Sequence, residues 1–174
     1  MSLETQPDAH GNASIELACG LAEEIVRTFG EVRLRVFGTS MVPAILPGDL
    51  VSIHQASLLD ISQGEVVLYL RSGRLFVHRV VNRGIVATAG CPAEPCLITR
   101  GDRLRHDDPP VFPSEFLGRV SSIVRGARKV DLPAHASNHL LARLLQSSDR
   151  VTYLYSRLAT RCPALFFRRA KCQA

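Results

Sequence analysis

The pattern of apolar and polar positions divides the chain into a helical start, a strand-rich middle and a helical end. Apolar side chains recur at Ile15, Ala18, Leu21, Ala22, Ile25, Val26 and Phe29. That three-and-four spacing lines one face of a helix and predicts one over 14–29. Ser14 or Asn12 offers a cap at its start, and Gly30 ends it. The period then drops to two: Val32, Leu34 and Val36 alternate with Arg33 and Arg35, as on a half-buried strand. Strand-like runs follow at 49–54, 64–70, 74–81 and 84–89. Arg71-Ser72-Gly73 and Asn82-Arg83-Gly84 separate the last three and predict a meander of hairpins. A further strand is expected from Phe116 to Val124. Leu132-Pro133 breaks the pattern, and 137–148 and 149–161 return to helical spacing.

This organisation gives a flexible polar tail over 1–13, a mainly β body with its N-terminal helix over 14–133, and a helical extension over 134–174. A chain of 174 residues can bury one sizeable core but not two ordinary ones. With 46% hydrophobic and 21% charged residues, wholesale disorder is excluded. Charge changes the picture more. Residues 1–118 carry 10 basic and 14 acidic side chains, a sum of −4, and residues 119–174 carry 11 and 2, a sum of +9, so the cationic part of the chain is its C-terminal end. Val151, Leu154, Tyr155, Leu158 and Cys162 fall on one helical face there, beside Arg150, Arg157 and Arg161. Such a basic amphipathic segment either packs on the body or a partner, or lies peripherally on an anionic membrane.

No apolar run is long enough for a transmembrane helix. The start, MSLETQPDAHGNAS, lacks the basic-then-apolar pattern of a signal peptide. The expected location is cytoplasmic or peripheral to the membrane. The five cysteines form no CxxC pair, and Cys91 and Cys96 have no second ligand pair, so neither a metal nor another cofactor is expected. Aromatics make up 6% of the chain and Trp is absent, which leaves no evident stacking platform for nucleic acid.

Three polar constellations interrupt the strand-rich body. The first is Phe37-Gly38-Thr39-Ser40-Met41-Val42-Pro43, with Leu46-Pro47-Gly48-Asp49 behind it. A serine on a tight loop after a strand can expose its hydroxyl and leave backbone N–H groups to hold an oxyanion. It can equally be a turn serine bonded to its own backbone, and to act as a nucleophile it needs an adjacent base. The second is His78, which interrupts the run Leu75-Phe76-Val77-His78-Arg79-Val80-Val81. Period two puts Phe76, His78 and Val80 on one face and Val77, Arg79 and Val81 on the other. The third is the loop from Thr99 to Pro110, whose Asp102, Asp107 and Asp108 could orient a histidine or simply balance a solvated loop.

In this order, Ser40-Met41-x-Pro43, Gly48-Asp49, His78-Arg79-Val80-Val81, Gly101-Asp102 and Asp107-Asp108 resemble the signal peptidase I family. The wider superfamily includes the self-cleaving repressors of the bacterial damage response. The resemblance covers about residues 34–124 and implies that family's β-rich peptidase fold and a serine endopeptidase. In most bacterial members a lysine base stands where His78 stands here, and the histidine type is found in endoplasmic-reticulum and archaeal members. The two lysines of this chain, Lys129 and Lys171, both lie outside the body. The resemblance therefore implies Ser40 as nucleophile and His78 as general base. Asp108 is the first choice for the supporting carboxylate, and Asp102 is either structural or shares that role. Gly38, Thr39, Met41 and Pro43 are implied in the oxyanion and substrate site, and a protein or peptide substrate would bind as an extended strand. The alternatives are a self-processing repressor-type regulator, with Cys19-Gly20 as the candidate bond, and a non-catalytic binding module.

Overall fold

The computed structural model describes residues 9–87, 93–130, 132 and 149–161. Among these residues the protein is mainly β. Helix α1 (Ala9–Phe29) leads into β1 (Glu31–Arg35), β2 (Leu50–His54), β3 (Val66–Arg71), β4 (Arg74–Val86), β5 (Glu94–Arg100), β6 (Phe116–Arg125) and β7 (Arg128–Val130), and α2 (Asp149–Arg161) follows. The strands form one antiparallel sheet in the order β1-β2-β6-β3-β4-β5, with β7 also paired to β6.

Both faces of the sheet are used. Val51, Ile53, Val66, Leu68, Leu117 and Ile123 form one core with Val26 of α1 and with Met41 and Ile45 of the β1–β2 loop. Val67, Tyr69, Val80, Leu97 and Phe116 form a second with Leu58, Ile61 and Val111. A single buried side chain of this size stabilises the fold by about 1.5–3 kcal/mol. The two cores therefore fix which residues of each strand face which side.

Several sequence expectations are corrected. Helix α1 starts at Ala9, so Asn12 and Ser14 lie inside it and residues 9–13 belong to no tail. Residues 1–8 and the expected helix over 137–148 lie outside the described residues. The face of α1 that packs is Cys19, Ala22 and Val26, whereas Leu21 and Phe29 are exposed. Of this face Val26 enters the first core, and Cys19 and Ala22 are buried beside it along the helix.

Arg71-Ser72-Gly73 does turn the chain, with Ser72 and Gly73 both at positive φ. Asn82-Arg83-Gly84 does not. β4 runs straight through it and pairs with β3 up to Arg79 and with β5 from Arg79 onward, with a bulge between Val80 and Asn82. Gly84 is there for proximity: a Cβ at this position would lie 3.3 Å from the Cys96 sulfur opposite it. Strands β5 and β7 were not anticipated, because Pro95 and the short Arg-Lys-Val run carry no alternation.

In the extension the helix expected over 149–161 is present as α2, and what differs is the face that packs. Helix α2 buries Thr152, Ser156 and Ala159, and Ala159 and Tyr155 pack on Val42 and Leu46 of the β1–β2 loop. The apolar stripe Val151, Leu154 and Leu158 faces outward. Small residues and Tyr155 dock the helix on the body, and the other large apolar residues remain outside.

Candidate active site

Ser40 sits in the β1–β2 loop, whose base is closed by backbone bonds from Val36 N to Asp49 O and from Gly48 N to Val36 O. A turn joins Ile45 N to Met41 O, and the Val42–Pro43 peptide is cis. Asp49 holds the loop from within. Its Oδ2 accepts from Leu46 N at 2.8 Å, and both its oxygens accept from Arg125 of β6 at 2.8 and 2.6 Å. Asp49 and Arg125 are both buried. A forked guanidinium–carboxylate pair fixes angle as well as distance, so the Gly48-Asp49 part of the motif ties the Ser40 loop to the centre of the sheet.

His78 lies on β4 opposite Val67 of β3. Its ring is buried and stands edge-on to Tyr69 and Phe76, which stack on each other with centroids 5.3 Å apart. Its Nε2 is 3.0 Å from Ser40 Oγ and its Nδ1 is 2.6 Å from Asp108 Oδ2. The Asp108 oxygen also accepts from Thr99 Oγ1 at 2.7 Å and from Tyr69 Oη at 3.2 Å.

Burial alone would raise the Asp108 carboxyl. The hydrogen bonds from His78 and Thr99, the charge of His78 and the Tyr69 bond outweigh it and hold the group below the ordinary aspartate range. An ionised carboxylate only accepts, so His78 donates from Nδ1, which leaves Nε2 of the neutral ring to accept from Ser40 Oγ–H. Burial, aided by Asp108 and opposed by Thr99 and Arg71, pushes the Tyr69 hydroxyl up to about 12. It therefore remains a donor through the neutral range.

Asp102 is placed elsewhere, which corrects its candidacy as a partner of His78. Its two oxygens accept from Arg79 at 2.7 and 2.8 Å, and Arg79 also donates to Gly64 O at 2.7 Å. His78 and Arg79 are neighbours on a strand and point to opposite faces, so one aspartate of the loop meets each. The pair fixes the stretch that covers Ser40. Arg103 N donates to Ser40 O at 2.8 Å, and Arg103 Nη1 donates to Thr39 Oγ1 at 2.9 Å. A Cβ on Gly101 would come within 2.8 Å of Ser40 O and 3.0 Å of Ser40 Cβ, so only glycine allows this approach.

A third guanidinium holds the far end of the loop. Arg71 reaches both oxygens of Glu115 at 2.6 Å and the carbonyls of Pro109 and Pro110 at 3.2 and 2.8 Å. The Arg71 bonds hold Glu115 below the ordinary glutamate range. Asp108 N donates to Thr99 O at 2.8 Å, which completes the seating of that carboxylate.

Of the residues implied around the oxyanion, Gly38 is exposed with open space at its Cβ position. Among the described residues the Ser40 N–H meets no acceptor. Pro43 is half-buried. Met41 is 2% exposed and its side chain packs in the first core, where it anchors the loop. Cys96 is buried in β5, and Cys91 lies outside the described residues. Among the described residues no three His, Cys, Asp or Glu side chains gather as for a metal ion. Nor is any helix among them long and apolar enough to cross a membrane.

Sequence reasoning missed Tyr69, Thr99, Arg71, Arg79, Arg125 and Glu115. One signal was available: Arg79 follows His78 directly, so on a strand it must face the other side and find its own partner. No family model and no curated protein matches the chain.

Proposed function

We propose that this protein is a serine endopeptidase of the signal peptidase I-like type, acting on a protein or peptide bound as an extended strand. The observation that carries the reading is the line Ser40 Oγ, His78 Nε2, His78 Nδ1, Asp108 Oδ2, with steps of 3.0 and 2.6 Å at either end of the ring. In this reading Ser40 Oγ attacks the scissile carbonyl as its proton passes to His78 Nε2. The Ser40 N–H donates to the resulting oxyanion. The tetrahedral intermediate collapses, the amine leaves with the proton from His78, and an acyl group remains on Ser40. Water, deprotonated by His78, then releases it. Asp108 stabilises the imidazolium in both halves.

The test is labelling with a fluorophosphonate serine-hydrolase probe and mapping of the modified residue. The expected result is modification of Ser40 in the wild type and none in Ser40→Ala. Absence of labelling of Ser40 in the folded wild type overturns the reading. Self-cleavage at Cys19-Gly20 gains no support, since that bond lies inside α1 with Cys19 buried.

The proposal for the extension is peripheral contact with an anionic bilayer. Val151, Leu154 and Leu158 face outward beside exposed Arg150 and Arg157, while the other side of α2 packs behind the Ser40 loop. Cosedimentation with phosphatidylserine vesicles, lost with neutral vesicles and with Leu154→Glu, is the expected result. Equal partition with both vesicle types overturns it.

A further inference from the structure

We infer that Tyr69 and Thr99 are positioning residues that set the basicity and orientation of His78 through Asp108. The inference rests on the hydrolase reading above and deepens it. A single oxygen, Asp108 Oδ2, accepts three hydrogen bonds: His78 Nδ1 at 2.6 Å, Thr99 Oγ1 at 2.7 Å and Tyr69 Oη at 3.2 Å. A triad in outline needs only the first. The other two come from separate strands, β3 and β5, and grip the carboxylate from two sides.

Neither side chain is free to do otherwise. Tyr69 is 2% exposed, stacked on Phe76 and capped by the Arg71 guanidinium 5.3 Å from its ring centroid. Thr99 is fully buried, and its backbone carbonyl holds Asp108 N. Tyr69 Oη also comes within 3.5 Å of His78 Nδ1. Both atoms carry a proton directed at the same carboxylate oxygen, so this approach is a shared acceptor and not a bond between them.

The charged and titratable groups around His78 are few. Asp108 faces it from the loop and Tyr69 from β3, with Arg71 behind Tyr69. Arg79 and Asp102 are paired on the opposite face of β4.

Each extra donor draws negative charge away from the oxygen that faces the imidazolium. With three donors the carboxylate stabilises charged His78 less than a bare one would, and it is held in a single orientation. Removing a donor has two consequences of opposite sense. The ring becomes more basic, and the carboxylate becomes free to rotate. Catalysis then loses alignment while the acid limb of the pH profile moves to higher pH.

The experiment uses the full chain and three variants, Tyr69→Phe, Thr99→Val and Thr99→Ser. Two readouts are taken: the pH dependence of Ser40 labelling by the fluorophosphonate, and the NMR titration of the His78 ring with its Nδ1 proton. Tyr69→Phe keeps the ring and its stack, and Thr99→Ser keeps the hydroxyl, so neither depends on surviving a packing defect.

The expected result is a roughly tenfold slower labelling rate for Tyr69→Phe and for Thr99→Val, the size of one hydrogen bond to a charged group. The His78 midpoint moves upward in both variants, and Thr99→Ser restores both readouts. A role confined to packing would lower the folded fraction and leave the midpoint where it was. An unmoved His78 midpoint in Tyr69→Phe and Thr99→Val overturns the inference. Failure of Ser40 to label in the wild type strikes the hydrolase reading instead, because the titration is read without any turnover.

Discussion

The two ends of the 101–108 loop carry the same side chain and put it to different use. At one end Asp102 meets a guanidinium, whose charge does not vary in the working pH range. Both its oxygens are taken by Arg79, and it is nearly inaccessible to solvent. At the other end Asp108 meets an imidazole, whose charge does vary there. Two hydroxyls share its oxygen, and part of the side chain remains exposed. A carboxylate whose partner is permanently charged has only a structural effect. One whose partner can gain and lose a proton can also follow a reaction. The neighbouring positions of His78 and Arg79 on one strand sort the two aspartates to opposite sides.

The largest expected effect that tests this contrast is on turnover. Asp108→Asn should lower the rate by about four orders of magnitude, the loss typical of a neutralised triad aspartate, while fluorophosphonate still reacts slowly with Ser40. Rates measured per folded molecule check it, and a variant within tenfold of wild type would put Asp108 outside the site.

Asp102→Asn should reverse the balance. It leaves Arg79 buried without its counter-charge, a defect that typically costs about 3–5 kcal/mol of stability. Turnover per folded molecule should change only severalfold. Urea unfolding should also find the double variant Arg79→Met, Asp102→Leu close to wild type, since replacing both partners removes the orphaned charge.

Acid should act more gently and on the mobile-proton end. Asp108 and Glu115 both titrate lower in the folded protein than their ordinary values of 3.8 and 4.5. A group depressed by folding contributes stability above its unfolded value and loses it as pH falls through the folded one. Their share of the melting temperature should therefore be complete at neutral pH, decline from around 4.5 downward, and decline less steeply in Asp108→Asn. A melting curve unchanged between the two proteins below pH 4.5 would contradict this. The smallest effect belongs to Asp107→Asn. Its 3.1 Å contact with Arg100 is exposed, and such pairs contribute about 0–1 kcal/mol, so stability and turnover should both stay near wild type.

Much of this was legible in the sequence, for a physical reason. Ser40, His78 and Asp108 each break a local rule. A serine stands among turn residues before a proline, a histidine sits in a strand of branched side chains, and an acidic pair precedes Pro-Pro. Residues that violate their surroundings can be seen one at a time. Tyr69 and Thr99 violate nothing, since an aromatic and a β-branched residue are what a strand ordinarily contains, and their hydroxyls acquire meaning only once β3, β4 and β5 lie side by side.

The fold shows the same division. Alternation revealed β1, because one of its faces is wet and the other is dry. It failed at Asn82-Arg83-Gly84, where turn-like residues serve a bulge and a close approach to Cys96. It also failed on the helices. There periodicity located an apolar stripe, but the sheet took Cys19, Ala22 and Val26 of α1, the β1–β2 loop took Tyr155 and Ala159 of α2, and Leu21, Leu154 and Leu158 stayed outside.

The central place of β6 has a consequence for how the protein comes into being. β1 and β2 form one hairpin and β3 to β5 another run, and the strand that joins them is made only after both. A ribosome releases the chain from its N-terminus, so Ser40 and His78 emerge well before the residues that bring their strands into one sheet. Arg125, which braces the Ser40 loop through Asp49, stands at the very end of that joining strand. A nascent or truncated chain lacking 116–125 thus carries every reactive group but not the strand that joins the Ser40 hairpin to the run holding His78. The activity proposed here would switch on only when synthesis of the body is complete, which spares the growing chain from its own nucleophile.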